Sequence, residues 1–202
     1  SGKVLRTVNS PFYGLPRTVS TVSNALVILG TESVRTLVLG FSLVRGLRDG
    51  GLGPQMQLAY WRRSIYSAVA ARLLCQRLGM VEREELFLAA LLQDIGVQAL
   101  KQVGGGDYDK LLNDCPVWNR RLAIREHKAI GICHCEAGLL LAEMWQLPAM
   151  LAQLIRWHHF PQQAPAEFVP ACRVIGQARR YAEVFMGQIS GRRLALAHRT
   201  AR

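Results

Sequence analysis

Apolar side chains recur at steps of three and four residues along most of the chain, which is the spacing of one face of an α-helix. The clearest series are Val34, Leu37, Val38, Phe41, Val44 and Leu47, followed by Leu58, Trp61, Ile65, Val69 and Leu73. No segment shows the sustained alternation of apolar and polar residues that is typical of a half-buried strand. The sequence therefore predicts an all-α fold, a single multi-helix bundle domain.

Glycine and proline clusters divide this pattern into separate predicted helices. We expect a loop over residues 46–54, a helix that stops near Gly79, and a further break at the three glycines 104–106. Later helices are predicted from about Trp118, over residues 133–145, after Pro148 and over residues 166–186.

The chain is strongly basic, with 25 lysine and arginine residues against 14 aspartate and glutamate residues and a formal net charge of +11. Such a field attracts nucleic acid, nucleotides and acidic protein surfaces alike. No glycine-rich phosphate loop and no nucleic-acid reader motif accompanies the charge, so nucleic-acid binding through it would be non-specific and salt-sensitive. We expect a helical domain over residues 1–189 and a basic tail or frayed helix over residues 190–202.

Five cysteines, an odd number without Cys-x-x-Cys spacing, indicate free thiols in a reducing compartment rather than a disulfide framework. No signal peptide opens the chain, and no apolar stretch approaches the roughly 20 residues that span a bilayer. We therefore expect a cytoplasmic protein without a membrane partner.

A series of short motifs follows in a fixed order along the chain. They are Val8-Asn9-Ser10-Pro11-Phe12, residues 29–35, Trp61-Arg62-Arg63-Ser64, residues 89–96, His134-Cys135-Glu136-Ala137-Gly138, Trp145-Gln146-Leu147-Pro148 and His158-His159. As a set, from about residue 8 to about residue 185, they resemble HDOD domains, a branch related to the HD metal-dependent phosphohydrolases. In that family further helices usually precede the Asn-Ser motif, and only a few residues do so here.

The resemblance implies that the metal site of the HD hydrolases is degenerate in this chain. Those enzymes hold one or two divalent ions with His and Asp ligands from several helices, and the metal activates a water. The first His ligand corresponds to Arg63, the signature His-Asp pair to Gln93-Asp94, and the late Asp to Arg179. A guanidinium has no lone pair to donate and repels a metal ion. We therefore expect no hydrolase activity, no catalytic residues and no cofactor.

Four potential ligands survive, namely Asp94, His134, His158 and His159, and these would hold a metal if any were bound. Asp94 has two structural alternatives. It could cap the turn before Ile95, or it could form a bidentate ion pair with Arg63 that ties two helices together without a metal. We favour the ion pair.

Cys133-His134-Cys135 raises the alternative of a zinc site, completed by His127 or His158. Helical spacing places side chains 133 and 135 about 200° apart, which argues against a shared tetrahedral ion, whereas His127 and His134 would share a face. We favour buried thiols that flank a hydrogen-bonded His134. The pair His158-His159 could equally end a helix, stabilised there by the helix dipole when protonated.

The leading hypothesis is a bacterial regulatory output module that binds a signalling protein partner, or a small anionic ligand such as a nucleotide, through the degenerate pocket. Arg63 and Arg179 would line that pocket as an anion receptor, because guanidinium groups match phosphate and carboxylate. The alternative is a metal-dependent phosphohydrolase or phosphodiesterase that uses the surviving His and Asp residues. A second alternative is non-specific nucleic-acid binding.

Overall fold

The predicted all-α fold is confirmed by a computed structural model, which describes Thr18, residues 52–115 and residues 118–187. No strand occurs among these described residues. The chain divides into two units after residue 48, and the described helices all belong to the second unit. They are α1 (Pro54–Arg77), α2 (Arg83–Leu92), α3 (Ile95–Asp114), α4 (Arg120–Ile130), α5 (His134–Met144), α6 (Ala149–Trp157) and α7 (Val169–Phe185), with 3₁₀ turns at Pro161–Gln163 and Ala166–Phe168 between the last two.

The predicted helix ends agree with the structure where glycine or proline sets them. α1 begins at Pro54, and the chain leaves it through Gly79 at φ 68°. Gly131, which we did not predict as a helix end, closes α4 at φ 76° and donates its backbone N–H to the carbonyl of His127. Both glycines adopt the left-handed conformation that other residues reach only with strain. The motifs at residues 8–12 and 29–35 and the basic segment 190–202 lie outside the described residues.

The predicted break at the three glycines 104–106 is confirmed, because two helical segments meet there at a kink. α3 runs through them, and only Gly105 leaves the helical conformation, at φ 51° and ψ −138°. A single glycine can absorb this change, because it has no Cβ to clash with the backbone. Helical hydrogen bonding then resumes, so the second half of α3 points in a new direction.

The apolar series of α1 lies largely outside the described core. Leu58, Ile65 and Leu73 are 53%, 51% and 57% exposed. The buried face instead carries small and polar side chains, namely Tyr60, Arg63, Ser64, Ser67, Ala68, Ala71 and Cys75. Helix separation depends on side-chain size at the contact, so this face suits close packing against α7, the main neighbour of α1 together with α2. It also carries Arg63 into the interior.

One helical stretch, Arg83–Asp114, has the length and apolar composition of a membrane span, contrary to our expectation. Of the most apolar 18 residues of this stretch, 67% are buried within the fold. The turn at Gln93 and Asp94 interrupts the stretch between α2 and α3. Core helices with this composition meet the same criteria, so the stretch is weak evidence for a membrane.

Helices α3 and α5 meet at a pair of glycines. A Cβ atom at Gly96 would lie 2.0 Å from the backbone oxygen of His134 and 2.7 Å from the backbone nitrogen of Gly138. A Cβ at Gly138 would lie 2.7 Å from Cγ2 of Ile155 on α6. The close approach fixes the start of α5, and therefore His134, against the start of α3.

We expect Gly96→Ala to destabilise the protein by at least about 1–3 kcal/mol, because the added methyl group would force two backbones apart. Gly106→Ala is the matched control, since it lies in the same helix with no heavy atom within 4 Å of an added Cβ. There alanine should be neutral or stabilising by about 0.5–1 kcal/mol. Urea denaturation measures both variants, and equal stabilities would contradict the close packing of α3 and α5.

Candidate functional site

The carboxylate of Asp94 lies at the centre of a buried polar cluster. Asp94 is fully buried at the turn between α2 and α3, and its side chain makes no capping hydrogen bond. Its Oδ2 lies 3.5 Å from Nε of Arg63 on α1. Its Oδ1 lies 3.7 Å from Nε2 of His134 and 3.6 Å from Nε2 of His158. Asp94 therefore joins the turn to α1, to α5 and to the end of α6.

The expected ion pair between Arg63 and Asp94 is present, but it is not bidentate. Neither the Nε atom of Arg63 nor either oxygen of Asp94 has a hydrogen-bond partner within the described part of the chain. The guanidinium carbon lies 4.1 Å from the ring centroid of Trp118, as in a cation–π contact. This stacking accounts for the orientation of the guanidinium, which approaches the carboxylate through a single nitrogen.

A second buried carboxylate, Glu126 on α4, holds His134 in place. Oε2 of Glu126 accepts the backbone N–H of His134 at 2.8 Å and its Nδ1–H at 2.6 Å. Oε1 accepts the hydroxyl of Tyr108, which lies in α3 beyond the kink. The prediction of a hydrogen-bonded His134 is confirmed. Glu126 was missed, because a glutamate in a helix with a polar face resembles a solvent-exposed charge.

The charges of the cluster balance internally. Burial alone would raise the pKa of Asp94, but the guanidinium of Arg63 and the imidazoles of His158 and His134 hold it well below its usual range. Burial lowers the pKa of His134, yet the carboxylates of Glu126 and Asp94 outweigh that effect and leave it raised. The two carboxylates on either side of His134 favour its protonated form, and Arg63 supplies a fixed positive charge beside Asp94.

His158 and His159 are neutral groups in this environment. The helix end expected there is confirmed, since α6 ends at Trp157 and His158 is its C-cap. Burial lowers the pKa of His158 and lowers that of His159 strongly, with neighbouring cations adding to the effect. The lowered pKa values disfavour the protonated form that the helix dipole would stabilise.

Three of the four surviving ligands, without Asp94 but together with Cys135, form a group that could hold one metal ion. Ligand atoms of His134, Cys135, His158 and His159 all lie within 4.8 Å of one another, and all four side chains are buried. The Nε2 atoms of the three histidines have no hydrogen-bond partner within the described residues. Tetrahedral zinc with bonds of about 2.0–2.3 Å needs donors about 3.3–3.8 Å apart, so the cluster would contract slightly around an ion.

The hydrogen bonds behind two of these histidines suit metal ligands. Nδ1–H of His134 is donated to Glu126, and Nδ1–H of His158 is donated to the carbonyl of Ile155 at 2.7 Å. Such bonds fix the tautomer and direct Nε2 towards a metal. Gln93, which stands in place of the family's histidine, is fully buried, and its amide has no hydrogen-bond partner in the described residues.

We expected the side chains of Cys133 and Cys135 to point in nearly opposite directions, and the structure differs from this. Cys133 is the extended N-cap of α5, at φ −103° and ψ 165°, so helical spacing does not apply to it. Its thiol contacts that of Cys135, and this hydrogen bond helps to lower the pKa of Cys133 to about 7. Cys133 is still absent from the ligand cluster. His127 lies on α4, so it shares no helix face with His134 on α5. Its Nδ1 lies 3.2 Å from Oε2 of Glu136.

Arg63 and Arg179 do not line one pocket, which corrects the expected anion receptor. Arg63 lines a cavity of about 340 Å³ together with Tyr60 and Trp118. Arg179 lines a separate cavity of about 680 Å³, together with His158 and His159. Arg179 pairs with Glu183 one turn further along α7, whereas Arg63 pairs with Asp94.

The comparisons with known proteins agree with this architecture. The chain matches the family model of the HDOD domain over residues 1–161. No curated protein matches it significantly. Among solved structures it is similar to an HDOD domain protein of Geobacter sulfurreducens, with a TM-score of 0.72 and 24% identity over 91% of this chain and 61% of that chain.

Two further structures are similar. A Shewanella amazonensis SB2B protein named as a candidate phosphohydrolase has a TM-score of 0.75 and 24% identity over 100% of this chain and 72% of that chain. A candidate signal transduction protein of Marinobacter aquaeolei VT8 has a TM-score of 0.68 and 25% identity over 88% of this chain and 40% of that chain. The chain therefore spans less than two thirds of the Geobacter and Marinobacter proteins. Because the family model matches well over half of its residues, the chain belongs to the HDOD domain family.

Proposed function

We propose that this chain is a non-catalytic regulatory module of cytoplasmic signalling, which binds a protein partner or a small anionic ligand beside its degenerate HD pocket. The observation that carries the proposal is the contact between Arg63 and Asp94. By the family resemblance, Arg63 replaces a metal ligand. Its side chain pairs with the carboxylate of Asp94, which would otherwise bind metal. A permanent cation thus stands where the hydrolases place their ion.

The charges around Asp94 support the loss of a metal-hydroxide mechanism. Such a mechanism needs an ion that lowers the pKa of a bound water, held at an open coordination position. Here the buried guanidinium groups of Arg63 and Arg179 both act electrostatically on Asp94. The fixed positive charge of Arg63 beside the carboxylate opposes a divalent ion there.

The regulatory role and the compartment have separate support. The Marinobacter relative is named as a candidate signal transduction protein, and the resemblance to HDOD domains implies an output role. All five cysteines are free and buried, which fits a reducing compartment such as the cytoplasm.

A second candidate function, metal-dependent phosphate-ester hydrolysis, is favoured by the histidine cluster. His134, His158 and His159 offer unpartnered Nε2 atoms within the described part of the chain, and Cys135 offers a thiol. A metal bound there would supply Lewis acidity. The cluster of three nitrogens and one sulphur suits zinc or cobalt better than the harder magnesium ion.

The ion pair predicts an order of stabilities. Asp94→Ala should cost on the order of 3–5 kcal/mol, because it leaves the buried Arg63 without its counter-charge. The double variant Arg63→Met/Asp94→Leu should be clearly more stable than Asp94→Ala, because it removes both charges and keeps the packing. Denaturant titrations of the three proteins measure this, and equal losses in the single and double variants would exclude the ion pair as a stabilising contact.

Loss of catalysis predicts that added metal elicits no hydrolysis. We expect 4-nitrophenyl phosphate and bis(4-nitrophenyl) phosphate, with Mn²⁺, Fe²⁺ or Zn²⁺, to react no faster with the wild-type protein than with Asp94→Asn. The assay follows nitrophenolate absorbance. A metal-dependent rate that disappears in His158→Ala would reject the non-catalytic proposal in favour of the second candidate.

If the chain is a metal-dependent hydrolase, we expect it to bind Co²⁺ with a sulphur ligand. Titration with Co²⁺ would then give one bound ion per chain and a thiolate-to-cobalt absorption band. Cys135→Ser should lose the band, while Cys75→Ser keeps it, because Cys75 is buried on α1 and absent from the ligand cluster. A wild-type protein that binds no cobalt would remove this candidate.

A further inference from the structure

The larger of the two cavities has the size and charge of a binding site for a small anion. Its volume of about 680 Å³ lies within the range of about 300–1,000 Å³ that is typical of small-molecule pockets. Four of its lining residues are arginines, namely Arg120, Arg173, Arg179 and Arg180. No aspartate or glutamate is among the described residues that line it.

The arginines reach the cavity from two helices that are distant in sequence. Arg120 is the first residue of α4, whereas the other three lie on α7. Within the described residues neither Arg120 nor Arg173 forms an ion pair with a carboxylate. Guanidinium groups from separate elements can each present paired N–H donors to one phosphate group, which a single lysine cannot do.

Unpartnered polar atoms lie at the inner wall of the same cavity. Nε of Arg179 and Nε2 of His159 have no hydrogen-bond partner within the described residues, although these side chains are only 9% and 7% exposed. Buried polar atoms are normally satisfied by protein, water or ligand. Their presence beside three further arginines indicates that the cavity is built to receive acceptor atoms.

Part of the remaining wall is apolar, which favours an organic phosphate over the free ion. Leu74 and Leu78 at the end of α1 and Val174 on α7 line the cavity, and Leu78 is 60% exposed. An exposed leucine beside arginines offers contact area to a ring or an alkyl group. Inorganic phosphate would leave this part of the cavity unfilled.

We infer that the cavity lined by Arg120, Arg173 and Arg179 binds a phosphate monoester of a small organic group of about the size of a mononucleotide. The inference rests on the proposed function, because it identifies the anionic ligand of the regulatory module. It assigns binding to α4 and α7, and it gives no role to Arg63, which lines the other cavity.

The test is isothermal titration calorimetry of the full chain with adenosine 5′-monophosphate as the probe, in parallel with adenosine and with inorganic phosphate at the same ionic strength. We expect the monophosphate to bind, adenosine not to bind, and inorganic phosphate to bind at least about tenfold more weakly. Arg120→Gln and Arg173→Gln should each weaken binding at least about tenfold, the loss expected for one charge-assisted hydrogen-bonding group.

Arg121→Gln is the matched control, since it removes the same charge from the next, exposed residue of α4, which does not line the cavity. It should keep wild-type affinity. Equal losses in Arg120→Gln and Arg121→Gln, or no binding of the monophosphate at millimolar concentration, would overturn the inference. Equal affinity for inorganic phosphate would overturn the assignment to an ester.

The proposed phosphate site and the proposed non-catalytic role can be tested separately. Chromatography of the probe after each titration shows whether it is intact. Binding without conversion supports both the ligand class and the non-catalytic role. Metal-dependent conversion of bound probe would reject the non-catalytic role and keep the phosphate site, whereas absence of binding would reject only the site.

Discussion

A carboxylate without contact to water requires polar or charged partners, and in this fold Asp94 obtains them from three helices. Removing a carboxylate from water costs several kcal/mol even after relaxation. Arg63 of α1, His134 of α5 and His158 at the end of α6 lie within 3.7 Å of the Asp94 oxygens. Each of these helices must therefore keep its position relative to the turn between α2 and α3, or the carboxylate loses a polar partner.

The positions of these partners depend in turn on packing. Gly96 lets α5 approach α3 until only a hydrogen atom fits against the carbonyl of His134. The kink at Gly105 redirects α3, whose second half carries Tyr108 to Glu126. Glu126 then fixes His134 from behind. Packing of small residues and pairing of buried charges thus depend on each other.

Local sequence signals predict the helices well and their faces less well. Pro54, Gly79 and Gly131 mark helix ends because their backbone preferences act within a few residues. The buried face of α1 could not be predicted from its leucines, because small residues such as Ala68 and Ala71 decide where α7 packs. The three glycines 104–106 predicted a break in α3, but they did not show that Gly105 alone would leave the helical conformation.

The residues of the site divide in the same way. Sequence motifs predict some of them, and only the packing of distant helices brings the others together. Alignment with family motifs was sufficient to pair Arg63 with Asp94, since each stands at a former ligand position. Glu126 belongs to none of the motifs that we identified, and its role follows from the approach of α4 to α5. Arg120 and Arg173 were also missed, because no spacing in the sequence shows that α4 and α7 border one cavity.

The pairing of Asp94 with Arg63 has a consequence for the life of the protein in a cell. A domain whose buried carboxylate is neutralised by a metal can complete its fold only when that metal is available. Here the counter-charge is an arginine of the same chain and is synthesised with it. The charge pair of Asp94 and Arg63 can therefore form in newly made protein without any supply of metal.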